Sequence, residues 1–239
     1  MRPNPSAPRL LPLLAGSAAA SLGPEDLREI GIGAVAVDIV ELALALGLER
    51  IERLGGMPGL LRWDGPVVAI AGWSIEPAQS SGRRGRALPQ LLGERDGVVQ
   101  LLSAIDGSTV RLVRQELADW AHRLGAEPDV SIAGAGVEVA TWEAGDPPAG
   151  SLVVSRLAQE EAHHGRFWDG AGWSALAPTA GAAGEGPLRE GCACRACAIA
   201  TRGYLAHLWT MREITAEHLL GWHNLHQARL MVEEAQPAS

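Results

Sequence analysis

Short apolar runs alternate with amphipathic stretches along most of the chain. The runs Leu10–Leu14, Val35–Val37, Val67–Ala71 and Leu152–Val154 have the length of buried strands. Between them the spacing turns helical. In SLGPEDLREIG (21–31) Pro24 suits a first helical turn, and Glu25 and Asp26 complement the dipole there. Val113, Leu117, Trp120 and Leu124 share a helical face that stops at Gly125. Near the C-terminus, TAEHLLGWHNLHQARLMVEE puts Leu219, Trp222, His223, His226 and Leu230 on one face. GRFWDGAGWSALAP reads as a hairpin turning at Asp169-Gly170. Strands alternating with helices predict a parallel α/β fold. TAGAAGEGPLREG (179–191) is the clearest linker, so the expected organisation is an α/β region over 1–178, a linker over 179–190 and a small domain over 191–239.

With 47% hydrophobic and 20% charged residues among 239, the chain reads as globular. No apolar run is long enough to span a bilayer, so no membrane association is expected. The first residues, MRPNPSAPRLLPLLAGSAAASLG, have the outline of a leader. Their apolar centre is short and broken by Pro12, and a first buried strand accounts for the same residues. A net charge of −8 excludes a generally cationic protein but not a local basic patch. The densest such patch is SSGRRGR, whose Arg83, Arg84 and Arg86 are the candidate nucleic-acid contacts; a solvated loop explains them too. His163 and His164 beside Glu160 and Glu161 read as a solvent-facing loop, and Trp120 and Trp222 as core.

The three cysteines fall within six positions, Cys192-x-Cys194-x-x-Cys197. They cannot pair among themselves without leaving one free, and they suit a metal site in a reducing cytoplasm better than a disulfide framework. Three thiolates can converge on one Zn²⁺, which takes a fourth N or S ligand from among His207, His218, His223 and His226. A site closed by four protein ligands is structural.

C-x-C-x-x-C, then TRGYLAHL, then LLGWHNLHQARLM resembles the zinc-binding C-terminal region of the tRNA-guanine transglycosylases, the queuosine-type tRNA-ribosyltransferases. The resemblance implies that the fourth ligand is His223, in its H-N-L sequence. It extends upstream through SLGPEDLREIG, GLERIERLGGMPGLLRWDGPVV, the segment from Asp106 through LVRQELADWAHRLGAEPDV, and AHHGRFW. A (β/α) TIM-type barrel with a zinc-binding subdomain is what it implies. If the zinc region takes the chain from about Pro187 onward, fewer than 190 residues remain before it, whereas an eight-fold barrel takes about 200 or more. The expected fold is therefore α/β, an incomplete or shortened barrel of five or six repeats.

Base exchange needs a carboxylate nucleophile and an acid/base group. Where the family carries D-S-G-G-F-Q after W-D-x-P-I-L, this chain reads AIAGWS, and Ile70 takes the carboxylate's place. The base-recognition segment falls on SIAGAG (131–136), without an acid, and Ser151 aligns with the nucleophile. The family's basic T-R-N-A-R-N-G becomes QEEAHHG, so Glu160 and His163 replace arginines. The resemblance thus implies a paralogue without catalytic carboxylates. Such a chain would be an accessory subunit that binds a transglycosylase-family partner in a homo- or heterodimer, tRNA, or both. Two alternatives stand beside it: an active ribosyltransferase using relocated acids such as Asp146, Asp129 or Glu138, and a zinc-stapled protein-interaction module.

Overall fold

Each of the four apolar runs forms a strand in the computed structural model, which describes residues 9–14, 22–71, 90–102, 109–129, 137–148, 152–177 and 184–235. β1 (Arg9–Leu14), β2 (Val35–Asp38), β3 (Val67–Ile70) and β9 (Leu152–Ser155) are joined by two short strands, β7 (Glu127–Pro128) and β8 (Ala140–Thr141). All pairings in this sheet are parallel, in the order β7-β3-β2-β1-β9-β8. Its edges meet through a parallel bridge between Asp129 and Val137, where the Val137 N–H donates to Pro128 O at 3.1 Å. The sheet is therefore curled.

Curling gives the sheet an inside. Residues alternate in direction along a strand, and two separate apolar clusters result. Leu11, Leu13, Ala34, Ala36, Val68, Ile70 and Val154 form the inner one, joined by Val137, Val139 and Leu152. Leu10, Leu14, Val35, Val37, Val67, Ala69 and Val153 face outward into the larger core beneath the helices. Burial on both faces is why these strands read as unbroken apolar runs rather than alternating ones.

The helices follow their local signals. α1 (Pro24–Ile30) starts where the Gly23 N–H donates to Asp26 Oδ2 at 2.8 Å and ends at Gly31 in the left-handed region. Asp38 closes β2 and caps α2 (Ile39–Leu46), its Oδ1 accepting from the Val40 and Glu41 amides. Two short helices, α3 (Leu48–Arg53) and α4 (Gly56–Leu61), lead to β3, and α5 (Arg114–Arg123) precedes β7. Between β3 and α5 lies an antiparallel meander that periodicity did not predict: β4 (Gln90–Arg95), β5 (Val98–Leu102) and β6 (Thr109–Val113). Its signal was present as Asp96-Gly97, both at positive φ, a two-residue hairpin turn.

α6 (Leu157–His163) follows β9 and corrects the expectation of a solvent-facing loop at Glu160 to His164. Its Gln159 and Ala162 are buried, and ion pairs occupy its charges: Arg156 Nε to Glu160 Oε1 at 2.8 Å and Arg166 Nε to Glu161 Oε2 at 3.0 Å. The hairpin is present as β10 (Arg166–Trp168) and β11 (Trp173–Ala175), with Trp168 and Trp173 paired edge to face. α7 (Arg195–Ile199), α8 (Arg202–Thr210) and α9 (Ile214–Glu234) complete the described chain. α9 packs on α6, β1, β10 and α1 as well as on α7 and α8, so the C-terminal region shares the outer core of the sheet. Gly165 allows one of these contacts. A Cβ there would lie 2.4 Å from Trp209 Cε2 of α8, and its φ of +70° is costly for other residues.

Candidate metal centre

The cysteine turn and α9 bring four donors together. Cys194 caps α7, its Sγ accepting from the Cys197 amide at 3.4 Å, which folds the two sulfurs towards one point. α9 carries His223, fully buried, against them. Nδ1 of His223 lies 3.8 Å from Cys192 Sγ, 3.4 Å from Cys194 Sγ and 3.3 Å from Cys197 Sγ, and all four donor atoms fall within 4.8 Å of one another. A tetrahedral ion with Zn–S and Zn–N bonds of ordinary length would set S···N edges of about 3.5 Å. The group has the dimensions to hold such an ion.

The second imidazole nitrogen explains why Nδ1 faces the sulfurs. Nε2–H donates to Trp168 O at 2.8 Å, which fixes the tautomer and leaves the Nδ1 lone pair for a metal. Asn224, next in sequence, clamps the same strand. Its Oδ1 accepts from the Trp168 amide at 3.2 Å, and its Nδ2 donates to Ala158 O at 3.1 Å and Arg166 O at 2.9 Å. Replacing Asn224 by Ala strands these buried groups and is expected to cost about 3 kcal/mol. A denaturant midpoint within experimental error of the parent would refute this role.

The electrostatics of the group favour a cation. Burial opposes charge on His223, yet the Cys192 and Cys197 sulfurs and the Trp168 carbonyl outweigh it and raise its pKa to about 9. The Cys197 thiol is pulled down to about 3, first by the hydrogen bond with Cys194 and, against burial, by His223. Cys194 is pushed far up by that same hydrogen bond and by burial.

The other histidine candidates are elsewhere occupied. His207 is exposed, His218 Nε2 lies 3.8 Å from Asp26 Oδ1, and the His226 ring stacks on Trp222.

The positions that the resemblance aligns with the family's catalytic groups are placed as follows. Ile70 is 2% exposed in the inner cluster at the end of β3, in register with Asp38. Ser151, the segment 131–136, and Arg83, Arg84 and Arg86 lie outside the described residues. Of the relocated acids, Asp146 and Glu138 are exposed, whereas Asp129 is buried where the sheet edges meet. Asp38 is a buried acid that reading the sequence missed. Its signal was a lone acid between an apolar strand and a helix.

A curled parallel sheet with a Cys₃His group on a C-terminal helical region defines an α/β protein whose four clustered donors could hold a metal ion. Residues 153–238 match the family model of queuine tRNA-ribosyltransferase. The chain is 27% identical over 120 residues to the queuine tRNA-ribosyltransferase of Zymomonas mobilis, which covers 50% of this chain and 29% of that protein. It is 42% identical over 52 residues to that of Cereibacter sphaeroides, covering 22% and 14%. For that of Ruegeria pomeroyi it is 50% over 40 residues, covering 17% and 11%. The matched stretches thus span less than a third of these relatives. The C-terminal region of the chain is thus similar to the queuine tRNA-ribosyltransferases.

Proposed function

We propose that this chain is a zinc-stapled, tRNA-guanine-transglycosylase-like accessory subunit that lacks base-exchange chemistry of its own. The curled sheet is read as a shortened (β/α) barrel, with Cys192, Cys194, Cys197 and His223 holding one structural Zn²⁺. Softness and tetrahedral spacing of the donor set favour zinc, and four protein ligands leave no open position for a substrate. The chain would act in the cytoplasm with a transglycosylase-family partner, as a homo- or heterodimer, on tRNA. A sheet closed at its edges by one bridge has a physical reason to be covered.

One observation carries the non-catalytic part. Active sites of parallel barrels lie at the C-terminal ends of the strands, and there β3 presents the buried, apolar Ile70. β9 likewise presents Val154, next to its C-terminal end, to the inside rather than an acid. The test is incorporation of labelled guanine into tRNA by the zinc-loaded protein. We expect no turnover alone, and tRNA or partner binding by the same preparation. Turnover would reject the accessory reading.

A second reading rests on Asp129, buried at the C-terminal side of the sheet beside the register of Ile70. Should the protein exchange guanine, Asp129→Asn is expected to abolish it while Asp146→Asn and Glu138→Gln leave it intact. Binding of a partner without affinity for tRNA would instead favour a protein-interaction module.

A further inference from the structure

We propose that Gln227, oriented by Arg189, is a positioning residue of the metal centre that tunes and shields the Cys192 thiolate. This rests on the zinc reading of the Cys₃His group. Each of the three sulfurs meets an N–H donor. The Cys197 amide serves Cys194 at 3.4 Å, and the backbone of Arg189 hydrogen-bonds Cys197. Both of these donors come from the main chain in or next to the cysteine turn. Cys192 differs, because its donor is a side chain 35 residues away on α9, Gln227 Nε2 at 3.0 Å.

The orientation of that amide is determined rather than assumed. Arg189 Nη1 donates to Gln227 Oε1. A guanidinium has no acceptor, so the atom facing it must be the oxygen, and the amide nitrogen is turned to the sulfur. Gln227 is 1% exposed, so no solvent competes for either end. Charge on Arg189 polarises the amide and strengthens the N–H donation beyond it.

The consequence follows from exposure and charge. Three thiolates and a neutral imidazole around Zn²⁺ leave one net negative charge. Cys194 is 1% exposed, but Cys192, like Cys197, is half-buried and so within reach of an electrophile; the side-chain donor is what sets Cys192 apart. A hydrogen bond to its sulfur draws off electron density where attack would begin. Arg189 lies in the segment that reads as a linker, yet its neighbour Leu188 is fully buried and its own side chain reaches α9.

The test uses the full chain loaded with zinc or cobalt. Gln227→Glu keeps the shape and the Arg189 partner but loses the donor; Gln227→Met loses both. In each, residue-resolved alkylation by iodoacetamide should speed up at Cys192 alone, and zinc loss to a chelator should become about 10–100-fold easier. The sulfur-to-cobalt charge-transfer band should move to lower energy. Arg189→Met, which leaves Gln227 in place, should change all three in the same direction by less, and it decides the matter if the Gln227 variants fail to fold. An unchanged Cys192 rate, or equal acceleration at all three cysteines, would overturn the proposal by making Gln227 a packing residue only. A parent protein that takes up neither metal overturns the zinc reading itself.

Discussion

Cys194→Ser is expected to abolish tight zinc binding and to unfold the C-terminal region. Structural zinc sites contribute about 10–16 kcal/mol of apparent binding free energy at neutral pH, which exceeds the net stability of a typical domain. Cys194 is the most deeply buried of the three sulfurs and also caps α7. The damage should spread, because α9 packs on β1, α6 and β10 and not only on α7 and α8. We expect chelation of the parent protein to mimic the substitution, with a melting temperature lower by at least about 10 °C by circular dichroism. A chelated protein, shown to be free of metal, that melts with the loaded one would reject the zinc as a folding element.

The pH dependence has a definite sign. In the metal-free protein His223 has a pKa raised from 6.5 to about 9, so its contribution is full below 6.5 and lost as the pH rises through about 9. Zinc needs the neutral imidazole and deprotonated sulfurs, including Cys194, whose pKa is pushed up. Binding therefore releases protons. The difference in stability between loaded and chelated protein should widen from pH 6 to pH 9. A gap that narrowed over that interval would contradict the ligand set.

Ile70→Asp, which places a carboxylate at the end of β3, is expected to destabilise the protein by about 4 kcal/mol at pH 7 rather than create an enzyme. The new group would enter an apolar cluster with Leu13, Val68 and Val154, in register with buried Asp38. Burial and a like charge both raise a carboxyl pKa. The unfolded chain would ionise first, so the penalty should grow as the pH rises above about 4. Denaturation at pH 5 and pH 8 measures that slope, and the guanine-incorporation assay reads the chemistry. A variant within 1 kcal/mol of the parent, or one that gained turnover, would mean that the inside of the sheet is polar and solvated, contrary to the accessory reading.

Much of this molecule was legible before folding. The four apolar runs read as strands because both faces of a curled parallel sheet are buried and no polar alternation interrupts them. α1 and α5 were visible through a proline and acids at one start and a glycine at the other end. The antiparallel meander escaped because β6 alternates only between exposed and half-buried positions, which blurs the two-residue period, and Asp96-Gly97 was its one sharp mark. α6 was misread because the charges of its Glu-Glu-His-His run suggest solvent, whereas ion pairs with Arg156 and Arg166 and the His163–Glu217 hydrogen bond allow the helix to pack.

The metal group divides along the same line. Three of its donors are set by sequence alone, since C-x-C-x-x-C returns its sulfurs within a single turn whose hydrogen bond spans three residues. Four histidines downstream were chemically equal candidates. His223 is selected because α9 lies on β10, where Trp168 O takes its Nε2–H and turns Nδ1 to the sulfurs. Meeting of the sheet edges at Asp129 and Val137, and of Arg189 with Gln227, likewise joins residues that no local period connects. Short-range spacing therefore determined which side chains could act together, and long-range packing decided which of them do.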